Sequence, residues 1–279
     1  MTKQYAVLGH PISQSKSPQI HQAAYSVLGL DWSYGRFDVS PGQLEVFLAT
    51  HPEISGFSVT MPLKEEACSL AQTRSEDVTV TGAANTLVRT DSGWEAHNTD
   101  IFGLVMSLSA LRARLGKVLI LGTGATAKSA IMAIRQLSSS ADVMIYGRNR
   151  GRVTETVIFA RNLGLNARSA RSLVASSATA DLTISVIPQS GAGNYATSLL
   201  RWPFWKPRGV LFDTAYNPWP SKLASSWSSR GGEVLRGSAM LTWQAIAQIR
   251  IFTTGNSDQE LPNEVAVHAA MENAASEVD

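Results

Sequence analysis

The segment Gly122-Thr123-Gly124-Ala125-Thr126-Ala127 constrains this chain more than any other. It follows the apolar run Lys117–Leu121, which reads as a buried strand, and it opens a stretch with helical periodicity over 125–137. Strand, glycine turn and helix together match the G-x-G-x-x-G/A fingerprint of a dinucleotide-binding βαβ unit. The first glycine makes the turn and the second lets a pyrophosphate approach the backbone. The small residue at 127 lets helix and strand pack closely, and the helix N-terminus faces the phosphates. A glycine-rich turn with no ligand is the plainer reading, but a turn alone does not require this succession of elements.

The rest of the middle region keeps the same rhythm. Asp142–Gly147, Leu182–Pro188, Gly209–Thr214 and Glu233–Gly237 read as strands, and 151–163 as a helix. This alternation predicts a parallel, doubly wound sheet. In the first hundred residues Tyr5–Gly9, Ser33–Val39 and Ile54–Thr60 read as strands. Ala84–Arg89 and Trp94–His97 flank a turn at Asp91-Ser92-Gly93. Ser17 is expected as the N-cap of a helix with Pro18 at its first position and Gly29 as its stop. Pro62 is expected to start a second helix and Asp100 to cap a third. Long helices are expected over 238–253 and 262–275. The fold class is therefore α/β with two domains: 101–237 of Rossmann type, and 1–100 completed by 238–279. The cleft between two such domains is the expected ligand site.

Composition narrows the function classes. With 44% hydrophobic residues and a net charge of +2 over 279 residues, the bulk of the chain cannot be disordered. No apolar run reaches the roughly 18 residues that a membrane helix needs. One cysteine, Cys68, leaves no internal disulfide and no multi-cysteine zinc site, and no metal is expected. With no signal-like apolar stretch after Met1, the cytoplasm is the expected setting. The basic residues are spread too widely to suggest a nucleic-acid partner. Cys68 reads as a packed small residue, and His10 and His21, with no partner pattern, as structural.

Where NAD-binding versions of the fingerprint carry an acid at the end of the second strand, this chain has Tyr146-Gly147 and then Arg148, Asn149, Arg150 and Arg152. Guanidinium forks match a 2′-phosphate dianion, so the expected cofactor is NADP(H). A solvated basic loop is the plainer alternative. Near the N-terminus, Ser15 and Ser17 sit beside a helix start, which makes a carboxylate receptor of hydroxyls, free N–H groups and a helix dipole; taken locally, a cap and a loop serine explain them equally well. Lys64 and Asp100 each follow a strand end at a helix start. Paired in a pocket, a lysine and an aspartate suit oxidation of an alcohol: one exchanges the proton, the other orients and stabilises it. Unpaired, they are two surface charges.

Taken in order, these segments resemble the shikimate dehydrogenase family over nearly the whole chain. The resemblance rests on Gly9, Pro11, Ser15, Ser17, Pro18 and His21; on Val59–Lys64; on Gly82–Thr86; on Asn98–Asp100; on Asp213–Pro218; and on Gly237–Ala245. It implies NADP-dependent reduction of 3-dehydroshikimate to shikimate in chorismate and aromatic amino-acid biosynthesis. It further implies a substrate carboxylate held by Ser15, Ser17 and Thr60 with Tyr216 nearby. Asn85, Lys64, Asp100 and Gln244 would contact ring hydroxyls, and Lys64 with Asp100 would be catalytic. The cofactor would meet Gly122, Thr123, Gly124, Ala125, Thr126, Arg148, Asn149, Arg152, Gly237 and Met240. Met240 and Gln244, four residues apart, share a helix face. The chain departs from the family at Ala125, where a further glycine is common, and at Gly147-Arg148-Asn149, where Asn-Arg-Thr is usual. Two other readings stand beside this one: a quinate/shikimate dehydrogenase using NAD, and a non-catalytic NADP-responsive protein on the same fold.

Overall fold

The computed structural model describes residues 2–276. In chain order the elements are β1 (Gln4–Gly9), α1 (Ser17–Leu28), β2 (Ser33–Asp38), α2 (Leu44–Thr50), β3 (Ile54–Val59), α3 (Lys64–Leu70), β4 (Thr73–Arg74), α4 (Glu76–Thr81), β5 (Thr86–Thr90), β6 (Gly93–His97) and α5 (Asp100–Leu108). They continue with β7 (Lys117–Leu121), α6 (Ala125–Leu137), β8 (Asp142–Tyr146), α7 (Arg150–Asn162), β9 (Asn166–Ser169), α8 (Leu173–Ser177), β10 (Leu182–Ser185), α9 (Gln189–Leu200), β11 (Val210–Asp213), α10 (Lys222–Ser228), β12 (Val234–Arg236), α11 (Ser238–Thr254) and α12 (Glu264–Ser276). The chain divides into two compact units. Of the described residues, 2–103 and 241–276 form the first, and Leu104–Met240 form the second.

The first unit carries a six-stranded mixed sheet in the order β2-β1-β3-β5-β6-β4. β1 pairs parallel with β2 and β3, and the β5–β6 hairpin then runs antiparallel. Alternation along β1 separates two cores. Tyr5 and Val7 pack with Ile20, Ala24, Ile246, Ile249 and Met271 of the helices on one face. Ala6 and Leu8 pack with Leu44, Leu63, Ala67 and Val78 on the other. Cys68 is buried in this second core, as a small apolar residue would be.

The second unit is a six-stranded, wholly parallel sheet in the order β12-β11-β10-β7-β8-β9. That is the order of the doubly wound dinucleotide fold, with its switch point between β7 and β10. Val118 and Ile120 face α6 and α7, while Leu119 and Leu121 face α9 and α10. Strands buried on both faces need continuous apolar runs, and the residues of β7 and β11 supply them.

Three expected helix starts differ from the structure. α1 begins with Ser17 as its first helical residue, Lys16 holds the cap position, and no side chain caps the helix. Ser15 Oγ instead accepts the Ser17 N–H at 3.3 Å, which takes the local hydroxyl role from Ser17. α3 begins at Lys64 and not at Pro62, because the Leu63 N–H closes a turn onto the Thr60 carbonyl at 3.0 Å before the helix starts. Asp100 is the first residue of α5 and not its cap. The Thr99 carbonyl accepts the Gly103 N–H at 3.0 Å, and the Asp100 carboxylate is engaged elsewhere.

Candidate active site

Two strand ends bring Lys64 and Asp100 together. α3 starts just after β3 and α5 just after β6, and β5 lies between these two strands in the sheet. The residue before β5, Asn85, ties them: its carbonyl accepts the Val59 N–H at 2.7 Å, and its N–H donates to the His97 carbonyl at 3.0 Å. Lys64 Nζ donates to Asp100 Oδ2 at 2.5 Å across a sequence separation of 36. The two side chains are 14% and 6% exposed. Desolvation offsets most of the Coulombic gain of such a buried pair, so it defines geometry more than it adds stability.

Asn85, 2% exposed, holds the other carboxylate oxygen. Its Nδ2 donates to Asp100 Oδ1 at 2.8 Å and to Thr99 Oγ1 at 2.9 Å. Its Oδ1 accepts the Thr99 N–H at 2.8 Å and the Thr86 hydroxyl at 2.8 Å. Gln244 on α11 completes the group: its Oε1 lies 3.4 Å from Asn85 Nδ2, and its Nε2 donates to the Leu241 carbonyl at 2.8 Å. Four residues far apart in sequence thus form one hydrogen-bonded cluster. A fifth, Gln248, donates to the Asn85 carbonyl at 3.0 Å and was missed in the sequence reading. Its helical spacing from Gln244 was the available signal.

The residues of the expected hydroxyl receptor lie at the start of α1 and just after β3. Ser15 and Ser17 place their Oγ atoms 3.2 Å apart at the start of α1. Thr60 donates its N–H to the Leu8 carbonyl at 2.8 Å. A β-carbon at Gly9 would lie 2.5 Å from Thr60 Cγ2, so glycine there allows the two strand ends to approach. Lys16, between the serines, is 2% exposed and donates from Nζ to the Ala275 carbonyl at 2.7 Å. Its charge therefore serves the end of α12. His10, read as structural with no partner pattern in the sequence, has its Nδ1 2.5 Å from Asp38 Oδ1, an exposed pairing that sequence distance concealed. That hydrogen bond holds the Asp38 carboxyl below its usual range. His21 is fully buried against Tyr34 at 3.9 Å between ring centroids, and burial pushes its pKa down to about 3.

In the second unit the glycine turn has the shape that the fingerprint requires. Gly122 has φ +120°, and a β-carbon there would meet Val186 Cγ2 at 2.8 Å. Gly124 has an ordinary extended backbone, and a β-carbon on it would touch no protein atom. Packing does not require glycine there; in the dinucleotide fingerprint this is the position where a pyrophosphate approaches the backbone. Ala127 is fully buried beneath the turn. Thr123, Ala125 and Thr126 line the turn and the first helical positions, half-buried. Gly147, where a β-carbon would lie 3.0 Å from Thr123 Cγ2, lets the end of β8 sit beside this turn.

Arg148, Asn149 and Arg152 follow β8 and are all exposed. Asn149 caps α7 by accepting the Arg152 N–H on Oδ1 at 3.1 Å, which leaves its amide N–H groups to donate. None of Arg148, Arg150 and Arg152 makes an ion pair among the described residues. An exposed turn, a helix N-terminus and unpaired guanidiniums fit a phosphorylated dinucleotide.

Tyr216, Gly237 and Met240 also belong to the second unit. Asp213 staples the segment around Tyr216 by accepting the Ser221 hydroxyl at 2.5 Å and the Ala215 N–H at 3.3 Å. Burial pushes the Asp213 carboxyl and the Tyr216 phenol upward. Gly237 fits against Thr214, whose carbonyl would lie 2.5 Å from a β-carbon. Met240 is buried in the core beside α6. Among the described residues no His, Cys, Asp and Glu group could hold a metal ion, and no helix is long and apolar enough to cross a membrane.

Residues 7–87 match the family model described as the shikimate dehydrogenase substrate binding domain. The NADP(+)-type shikimate dehydrogenase of Microcystis aeruginosa is 30% identical over 262 residues, which span 90% of this chain and 91% of that protein. The chain belongs to the shikimate dehydrogenase family. The family member from Shouchella clausii is 29% identical over 91% of this chain and 94% of its own length. Among solved structures, the Mycobacterium tuberculosis shikimate dehydrogenase superposes with a TM-score of 0.82 at 38% identity, covering 99% of this chain and 100% of that one. The Thermus thermophilus enzyme in complex with NADP(H) and shikimate gives 0.77 at 27% identity, covering 98% and 100%.

Proposed function

We propose that this chain catalyses the reversible, NADP(H)-dependent reduction of 3-dehydroshikimate to shikimate, a CH–OH oxidoreduction of chorismate and aromatic amino-acid biosynthesis. The observation that carries it is the Lys64–Asp100 pair, held by Asn85, which Gln244 contacts in turn. When bound, NADPH supplies the hydride. The chain handles the rest. Ser15, Ser17 and Thr60 receive the substrate carboxylate through hydroxyls and N–H groups at the end of β1, the start of α1 and the end of β3. Asn85 and Gln244, with Lys64 and Asp100, face the ring hydroxyls, and Tyr216 is a further substrate contact by the family resemblance.

Lys64 Nζ gives a proton to the ring oxygen as hydride reaches the carbon, and takes it back in the oxidative direction. Asp100 fixes the ammonium's position through its Oδ2 hydrogen bond to Nζ. Asn85 keeps Asp100 from rotating, since one carboxylate oxygen is bonded to each neighbour. Gly122–Thr126 cradle the cofactor pyrophosphate. Arg148, Asn149 and Arg152 receive the 2′-phosphate, and Gly237 and Met240 flank the nicotinamide end.

A cytoplasmic, metal-free enzyme without nucleic-acid or membrane partners is the form this reading takes. The test mixes stoichiometric NADPH and 3-dehydroshikimate with the purified protein. Oxidation of the bound cofactor is expected. NADPH binding without oxidation would favour a non-catalytic NADP-responsive protein instead.

A further inference from the structure

A continuous buried chain of hydrogen bonds reaches the Lys64–Asp100 pair from the interior of the first unit. It starts at Tyr34 on β2, whose hydroxyl donates to Ser58 Oγ on β3 at 2.5 Å. Ser58 donates onward to Gln248 Oε1 on α11 at 2.7 Å. Gln248 Nε2 then donates to the Asn85 carbonyl at 3.0 Å and to Thr86 Oγ1 at 3.0 Å. Thr86 donates to Asn85 Oδ1 at 2.8 Å. Ser58 and Thr86 are opposite partners across the β3–β5 ladder, so one glutamine bonds to both members of the pair. Tyr34, Ser58, Thr86 and Gln248 are each at most 8% exposed.

Donor and acceptor chemistry fixes the direction of every link. A carbonyl oxygen accepts only, so Gln248 must present its NH2 to Asn85 and its oxygen to Ser58. With Gln248 donating to it, the Thr86 hydroxyl has its own proton free for Asn85 Oδ1. Asn85 Oδ1 also accepts the Thr99 N–H, a donor only. The amide of Asn85 therefore has one orientation, with Nδ2 toward Asp100. Remove Gln248 and the Asn85 carbonyl loses this donor, while the Thr86 proton is no longer directed. A buried network satisfied in every member specifies one geometry; a partly satisfied one does not.

We propose that Gln248 is a positioning residue for the Lys64–Asp100 pair, acting through Thr86 and Asn85. The proposal rests on the catalytic reading above. It extends that reading to a residue that touches neither the lysine nor the aspartate.

The test compares wild type with Gln248→Met, which fills the volume without hydrogen bonds, Thr86→Val, and the double variant. Shikimate oxidation by NADP(+) is measured per folded molecule, the folded fraction of each variant being taken from its thermal denaturation curve. Each single variant is expected to lose about tenfold or more in kcat, with the NADP(+) KM within about twofold of wild type. The double variant is expected to lose no more than the worse single variant, because both break one chain. Ser58→Ala, a one-atom deletion that releases Gln248 Oε1, is expected to lower kcat about threefold and decides the matter if Gln248→Met does not fold. A lowered melting temperature with undiminished kcat per folded molecule, or losses that add in the double variant, would overturn the proposal. Absent turnover in the wild type would instead overturn the catalytic reading.

Discussion

The Lys64–Asp100 cluster and the Arg148–Arg152 loop are both candidate ligand-binding regions, built in opposite ways. In the first, each polar side chain is buried, or half-buried in the case of Lys64, and already hydrogen-bonded to another. In the second, the guanidiniums are exposed and free of ion pairs among the described residues. The difference follows from the work each would do. Proton transfer depends on a fixed distance and direction, which only a packed and satisfied surrounding can hold. Capture of a phosphate dianion depends on cations with no internal carboxylate competing for them.

The largest effect is expected where the buried cluster loses its proton carrier. Lys64→Ala should lower kcat by about a thousandfold while leaving NADPH affinity within about twofold, measured by steady-state rates and calorimetric titration. Comparable turnover in this variant would break the comparison, since the buried pair would then be structural.

Burial of the first unit has a second measurable consequence at His21. Its folded pKa of about 3 lies below the ordinary 6.5, so the unfolded chain binds the proton first as pH falls. Stability from this group is present above about pH 6.5 and is lost as pH drops toward 3. Between pH 7 and pH 5 the expected loss is about 2 kcal/mol, and His21→Phe should remove that part of the slope in urea titrations. An unchanged slope would mean that His21 is protonated in the folded protein.

The exposed loop should respond more modestly and more selectively. Arg148→Ala is expected to raise the NADPH KM about tenfold while moving the NADH KM less than about twofold. Equal changes for both cofactors would remove the arginine from 2′-phosphate recognition.

The smallest expected effect on the fold is the sharpest on the turn. Gly124→Val has open space and an extended backbone, so stability should stay within about 0.5 kcal/mol of wild type while NADPH affinity falls. Gly122→Ala, at φ +120° and against Val186, should cost more than about 1 kcal/mol of stability. Thermal denaturation and NADPH titration of both variants separate a glycine kept for the fold from one kept for a ligand.

The second unit was more legible in the sequence than the first. β7 and α6 have the bounds that the apolar run and the helical period predict. Strands buried on both faces and a glycine turn leave strong local signals. β9, α8, α9 and α10 passed unnoticed, as did α2, β4 and α4. Most are short, and their burial depends on neighbours distant in sequence. The helix starts at Ser17, Pro62 and Asp100 differ for three reasons: Ser15 engages the Ser17 hydroxyl, a turn onto Thr60 precedes α3, and Lys64 and Asn85 engage the Asp100 carboxylate.

The cluster itself was legible as residue types. Lys64, Asp100, Asn85 and Gln244 were all expected in the site, and the structure joins them by hydrogen bonds. Gln248 was not expected: its spacing from Gln244 puts it on the same helix face, but its partners Ser58 and Thr86 lie on strands distant in sequence. His10, just after β1, likewise showed no sign of its pairing with Asp38 at the end of β2.

The most direct measurement is one initial-rate panel of shikimate and quinate, each with NADP(+) and NAD(+). The expected result is the highest kcat/KM for shikimate with NADP(+), with NAD(+) weaker because nothing engages Arg148 and Arg152. A kcat/KM for quinate with NAD(+) equal to or above that value would contradict the account.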